Sequence, residues 1–276
     1  MVGKVAEFCV DDFVDRLVIV SDLHAHRDPI AAFEKCLAAL PGRAQIFVNG
    51  DLFEGGIDPV ETIEWVCRHA GGRAVRGNHE STLPRKKQDG VFPPDTEQGA
   101  YAKINADQFK FIRELPDILL IQWRGRTIRM MHGHRTPSGQ PGGWLWVPDQ
   151  SMEAFADAGV DLTLVGHTHF PFTMKRGGCF LANSGSLSVP FIAVRMKDGS
   201  LHYQSGDERS PANGDIRSSF LSVTELAGAL EVEIIRFDYD REGLLERLLR
   251  VEGAYSAVFK QTLLREGIVD VPNAKA

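Results

Sequence analysis

Cysteine is scarce in this 276-residue chain: Cys9, Cys36, Cys67 and Cys179 lie far apart, and no C-x-x-C pair occurs. That spacing argues against a zinc knuckle and fits reduced, mostly buried thiols in a cytoplasmic protein. Long apolar runs are missing as well. No segment approaches the ~18 uninterrupted apolar residues of a membrane span, and the opening MVGKVAEFCVDDFVD is acidic, with no apolar leader core. A basic stripe is also absent. With 31 Lys and Arg against 37 Asp and Glu, the formal net charge is −6, so an extended nucleic acid is not an expected partner.

What is present is ordinary globular material, 43% hydrophobic and 25% charged, enough for one large core over residues 1–276. RLVIVSD (16–22), AQIFVNGD (44–51) and GRAVRGNHE (72–80) are β-branched, apolar runs that end in polar residues, the pattern of buried parallel strands. Between them, DPIAAFEKCLAAL (28–40) and DPVETIEWVCRHA (58–70) carry apolar residues at helical spacing. This is β-α-β-α-β, which predicts a mostly parallel sheet. TIRMMHGH (127–134), DLTLVGHTH (161–169) and CFLANSGS (179–186) predict further strands. IAVRMKDGSLHYQ (192–204) and LEVEIIRFDYD (230–240) predict antiparallel ones, and REGLLERLLRV (241–251) a helix. Residues 81–100 and 135–150 are rich in Pro and Gly and predict loops over one end of the sheet. Residues 205–219, SGDERSPANGDIRSS, predict a mobile loop.

The polar residues at these strand ends form a set. In order they are Asp22-Leu23-His24, Gly50-Asp51, Gly77-Asn78-His79-Glu80, His132 and Gly166-His167-Thr168-His169. Ligands of open α/β sheets bind beyond the carboxyl ends of the strands, so two Asp, one Asn and five of the nine histidines are delivered to one region. His167 and His169, at i and i+2 of an extended chain, would look into one space. Imidazole with carboxylate favours Mn, Fe, Zn or Co over Ca or Mg. Two such ions can share a carboxylate and a water, clamp a phosphate oxygen and generate hydroxide near neutral pH.

SDLH, NGD, RGNHE, MHGH and GHTH, in this order, resemble the calcineurin-like metallophosphoesterases, whose motifs run DxH, GD, GNH[DE], H and GHxH. FLANSGSLSVP (180–190) and EVEIIRFDYDREGLLERLL (231–249) resemble the NPGSV-x-x-P segment and closing strand and helix of the small bacterial and archaeal phosphodiesterase branch. That branch usually has Asn where His26 stands, and often Pro after the Asn that here precedes Ser184. The resemblance covers nearly the whole chain, apart from insertions at about 81–115 and 135–150. It implies an α/β fold, a four-layer α-β-β-α sandwich with two mixed β-sheets and helices on the outer faces.

Residue by residue, the resemblance implies one metal on Asp22, His24, Asp51 and His169 and a second on Asp51, Asn78, His132 and His167, with Asp51 bridging. Mn is favoured, with Fe, Zn, Ni or Co as alternatives. His79 would protonate the leaving oxygen, oriented by Glu80, while Asn78 and the metals would stabilise developing charge. His26, His134 and Arg135 lie near by position and could meet the substrate. The function implied is a metal-dependent phosphoric ester hydrolase. It would most simply be a phosphodiesterase of small phosphoesters, with a metal-bridging hydroxide as nucleophile. The rivals are a Ser/Thr protein phosphatase-like or dinucleoside polyphosphate hydrolase and a non-catalytic metal-holding scaffold. In the protein phosphatase branch the second motif runs GDxxDRG. Here Glu54-Gly55-Gly56 replaces Asp-Arg-Gly, and glycine cannot supply the bidentate phosphate contact of arginine.

Overall fold

Strand β2 (Arg16–Val20), which follows β1 (Val5–Cys9), is buried on both faces, and its alternate residues serve two different cores. Leu17 and Ile19 point into the space between two sheets, whereas Val18 and Val20 point out toward helices. The period of two that makes a strand therefore builds a layered sandwich from one apolar run. The computed structural model describes residues 3–53, 55–81, 103–133, 136–138, 152–176, 178–190, 193–195, 198–203, 215–250 and 264–270.

After β2 come helix α1 (Arg27–Ala38), β3 (Ala44–Asn49), α2 (Pro59–His69) and β4 (Ala74–Val75). Next are α3 (Ala106–Glu114), β5 (Ile118–Trp123), β6 (Arg126–Met131), β7 (Leu162–Val165), β8 (Pro171–Arg176) and β9 (Cys179–Ser184). The chain continues through β10 (Ala193–Arg195), β11 (Leu201–Tyr203), β12 (Ser218–Leu226), β13 (Ala229–Phe237), α4 (Arg241–Leu249) and β14 (Ile268–Asp270). One sheet has the order β13-β12-β2-β3-β4 and a second β1-β5-β6-β7-β9-β8, with a small sheet β11-β10-β14 beside them. Strands β2, β3 and β4 are parallel, as the β-α-β-α-β pattern predicts, and β12 joins β2 antiparallel, so the first sheet is mixed. In the second, β6, β7 and β9 are parallel while β5 and β8 run the other way.

The two large sheets pack through Leu17, Ile19 and Phe47 on one side and Ile121, Trp123, Met130 and Leu164 on the other. The far face of the first sheet receives Ile30 and Phe33 of α1, Ile63 and Val66 of α2, and Ile112 of α3. Each helix has a local reason to start. Pro59 opens α2 where its missing N–H costs nothing, and Asn105 with Gln108 forms a reciprocal capping box for α3. The far face of the second sheet carries Met131, Val165, Phe172 and Leu181, and Phe155 of a 3-10 turn (Met152–Phe155) packs on it. Helix α4 is fastened by Arg247, whose guanidinium reaches both Asp28 and Asp58 at the starts of α1 and α2.

Some expectations need correction. Ser218 and Ser219 are not part of a mobile loop but buried residues opening β12. The thiols are free but not mostly buried: Cys179 is buried, Cys36 half-buried, and Cys9 and Cys67 exposed. Pro171 does not end the GHTH segment; it opens edge strand β8, where a residue without an N–H is tolerated. Strands β1, β5, β8, β12 and β14 and helix α3 were not predicted. Loops 81–100 and 135–150 lie outside the described residues except for residues 81 and 136–138. Among the described residues no helix is long and apolar enough to cross a membrane.

Candidate metal centre

Six strands end at one place. From the first sheet β2, β3 and β4 deliver Asp22, Asp51 and Gly77-Asn78-His79. From the second, β6, β7 and β9 deliver His132, Gly166–His169 and the segment 183–189. Backbone conformation does much of the aiming. Asp22, His24, Asp51, His167 and His169 all have φ between 47° and 69°, the left-handed region that L residues avoid unless the surroundings hold them there. Two glycines allow the close approach. A Cβ on Gly77 would lie 2.0 Å from Asp51 Oδ1, and one on Gly50 (φ 84°) 2.6 Å from His132 Nδ1.

Asp22 and Asp51 are buried, as are His24 and His132. Their nitrogen and oxygen atoms face one another at close range. His169 Nε2 lies 3.2 Å from Asp22 Oδ1 and 3.0 Å from His24 Nε2. His132 Nε2 lies 3.1 Å from Asp51 Oδ2 and 3.2 Å from Asn78 Oδ1. His132 Nδ1 is 2.7 Å from the Asn49 carbonyl, and His169 Nδ1 is 2.7 Å from that of Val189. A carbonyl only accepts, so each Nδ1 carries the proton and each Nε2 of the neutral ring presents a lone pair. The lone pairs of His132 and His169 then face carboxylate oxygens.

Protons relieve this only in part. Burial disfavours charge on His132, yet Asp51 and Asp22 push its imidazole up to about 10. Burial and the neighbouring His132 push His167 down to about 4, leaving that ring neutral. Burial also opposes ionisation of Asp22, but His169 and His132 outweigh it and hold the carboxyl far below the usual carboxylate range. Two anions and several lone pairs in a buried space fit bound cations.

Three overlapping groups bring possible ligand atoms within 4.8 Å of one another: Asp22 with His24 and His169, Asp51 with His132 and His167, and His24 with Asp51 and His79. The first two each bring together three of the four residues that the resemblance implies for one metal. The third brings His79 closer to the centre than expected, its Nε2 3.7 Å from Asp51 Oδ2 and its side chain 27% exposed. His167 and His169 do not lie on an extended chain, as the i, i+2 argument assumes. Both residues are left-handed, and their rings fall into different groups.

Glu80 was expected to orient His79. Its carboxylate instead accepts backbone N–H groups from Asp51 (2.9 Å), Leu52 (2.8 Å) and Gly77 (2.7 Å), so it pins two motif loops together. His26 is buried at the N-cap of α1. His134 and Arg135 lie outside the described residues. Sequence reasoning gave no role to Ser186 and Ser188, whose hydroxyls both donate to the Asp22 carbonyl at 2.9 and 3.0 Å. Nor did it give one to Asn183, which holds Gly166 and Thr168 at 2.8 and 3.0 Å. The one available signal was the small-residue segment at the end of β9.

The family model of the calcineurin-like phosphoesterase superfamily domain matches residues 16–203. The uncharacterized protein MJ0912 of Methanocaldococcus jannaschii is 25% identical over 241 residues, 85% of this chain and 92% of its own. A metallophosphoesterase from Sphaerobacter thermophilus superposes with a TM-score of 0.66 at 19% identity, covering 91% of this chain and 99% of that one. The hypothetical protein PH1004 from Pyrococcus horikoshii OT3 does so at 0.62 and 15%, covering 87% and 99%. At those identities the two structures speak for the fold.

Proposed function

The chain belongs to the calcineurin-like phosphoesterase superfamily, and from that premise we propose that it hydrolyses small phosphodiesters with the help of two divalent metal ions. The observation that carries the reading is the buried meeting of lone pairs and carboxylates, an arrangement that cations stabilise. One ion would be held by Asp22, His24, Asp51 and His169, the other by Asp51, Asn78, His132 and His167. Asp51 approaches both His24 (3.9 Å) and His132 (3.1 Å) and would be the shared carboxylate. Mn is the ion the family resemblance favours, and mixed imidazole and carboxylate donors also accommodate Fe, Zn, Ni or Co. When bound, such ions supply Lewis acidity toward phosphoryl oxygens and lower the pKa of a water toward neutrality.

The remaining chemistry falls to the chain. His79 is more open to solvent than His24, and its amide donates to Asp51 Oδ1 at 3.1 Å, which fixes it against the centre. From there it can hand a proton to a leaving alkoxide. At position 55, where the protein phosphatase branch has arginine, a glycine Cβ would already lie 3.0 Å from His24 Nδ1. No guanidinium can hold a terminal phosphate there, which favours a diester over a monoester.

The test compares bis-p-nitrophenyl phosphate with p-nitrophenyl phosphate, using metal-stripped protein and protein with Mn²⁺ restored. Metal-dependent cleavage that prefers the diester is expected. Monoester preference would move the activity to the phosphatase side, and two bound ions with neither ester cleaved would favour a metal-holding scaffold. His79→Ala should keep its ions while turnover falls by about 10²- to 10⁴-fold; loss of both ions in that variant would refute the role given to His79.

A further inference from the structure

Asp22 has a left-handed backbone, φ 56°, which an aspartate does not adopt without outside support. Its carbonyl oxygen accepts two hydroxyls, from Ser186 at 2.9 Å and Ser188 at 3.0 Å, which fills both lone pairs. All three residues are fully buried. The direction of the Ser186 bond is fixed, because its oxygen also accepts the amides of Ser188 (3.2 Å) and Val189 (2.9 Å), leaving its proton for Asp22. The same segment donates the Leu187 amide to the Ser21 carbonyl at 2.9 Å and offers the Val189 carbonyl to His169 Nδ1. Asp22 Oδ2 is taken up by the Ser21 hydroxyl and the His167 amide, so Oδ1 is left facing the imidazoles of His24, His132 and His169. The opposite half has different anchors: Glu80 on the Asp51 amide and the Asn49 carbonyl on His132.

We propose that Ser186 and Ser188 are positioning residues that set the affinity of one ion, that on Asp22, His24, Asp51 and His169, far more than that of the other. This rests on the two-ion reading above. It adds a division of labour, with the segment after β9 clamping Asp22 and His169, ligands of one ion only, and Glu80 clamping Asp51, which the two ions would share. Tyr239, just beyond β13, extends the clamp outward by donating its hydroxyl to the Ser188 carbonyl at 2.5 Å.

The experiment uses the full chain and Mn²⁺ alone, with calorimetric titration and electron paramagnetic resonance. The wild type should bind two ions with the signal of a spin-coupled pair. Ser186→Ala with Ser188→Ala should keep one ion at nearly unchanged affinity and bind the other about ten- to hundred-fold more weakly, the range for loss of groups that orient metal ligands. At ion concentrations between the two affinities, the coupled signal should give way to that of an isolated ion. Tyr239→Phe should weaken the same ion by less. If the double variant does not fold, Ser188→Ala alone carries the test, since Ser186 still holds the carbonyl. Equal weakening of both ions would overturn the inference, because that is general loosening. Two ions at wild-type affinity with the coupled signal intact would also overturn it. Uptake of fewer than two ions by the wild type would instead remove the two-ion reading on which it rests.

Discussion

Replacing Glu80 by Gln tests how the centre is braced, since the two side chains have nearly the same shape. The Glu80 carboxylate is 2% exposed and accepts three backbone amides, Asp51 and Gly77 on Oε2 and Leu52 on Oε1. Glutamine has one acceptor oxygen. Placed at Oε2 it keeps two of these bonds, but its NH₂ then faces the Leu52 amide, donor against donor. One bond to a charged acceptor is lost, about 1.5–3 kcal/mol, and a buried N–H is stranded at a further cost of about 1–3 kcal/mol. Removing a buried charge beside Asp51 returns part of that, because burial and the Asp51 charge push the Glu80 carboxyl up against the pull of the amides. A net loss of about 2–4 kcal/mol follows. At roughly 2 cal/mol/K of unfolding entropy per residue, a chain of 276 residues should lose about 3–7 °C in Tm. Differential scanning calorimetry of metal-free protein reads this directly, and Glu80→Ala, which strands all three amides, should fall further. An unchanged or raised Tm in Glu80→Gln would refute the reasoning. It would mean that Glu80 is already protonated in the folded protein, so that a neutral amide serves equally well.

Two other outcomes follow from the geometry. Ion binding near neutral pH should release at least one proton, because His132, pushed up to about 10 in the ion-free chain, must give up its proton to become a ligand, and a water made acidic by the ions adds to the release. His167, down at about 4, and the already ionised Asp22 have none to give. Titrations in buffers of different ionisation enthalpy measure this, and a heat independent of buffer would contradict it. Phe47→Ala, which removes a fully buried ring between the sheets, should cost about 3–5 kcal/mol with an unchanged denaturant slope; a loss under ~1 kcal/mol would mean that the sheets close over the gap.

How far the sequence could be followed depended on what kind of group does the work. Strands β2, β3, β6, β7 and β9 were legible because strands buried on both faces are written as apolar runs, each ending in a polar ligand candidate. Strand β12 was not. It opens with Ser218 and Ser219 after a Pro- and Gly-rich stretch, a composition typical of loops. Ser219 can be buried because its hydrogen bond is met inside, where it donates to the Ser184 carbonyl at 2.7 Å. In the centre itself, the Asp, Asn and His side chains could be named from letters alone. The Asn49 and Val189 carbonyls that set the histidine tautomers could not, since every residue has a carbonyl and only the fold aims one.

The same limit explains why the two histidines of the GHTH stretch come together with others for a reason that strand periodicity does not contain. Among the described residues, eight that are not glycine have positive φ, and six of them are Asp22, His24, Ala25, Asp51, His167 and His169. Each such conformation costs of order 1–3 kcal/mol, so the loops would relax if nothing opposed them. What opposes them is a set of specific hydrogen bonds: two serine hydroxyls on the Asp22 carbonyl, Glu80 on the Asp51 amide, the Asp51 carbonyl on the His24 amide at 3.0 Å and Asp22 Oδ2 on the His167 amide. The ligand candidates are thus held partly by one another and partly by Glu80, Ser186 and Ser188, which need never touch an ion. A chain that kept all five motifs but lost the serine pair would look competent by its sequence and hold its ions poorly.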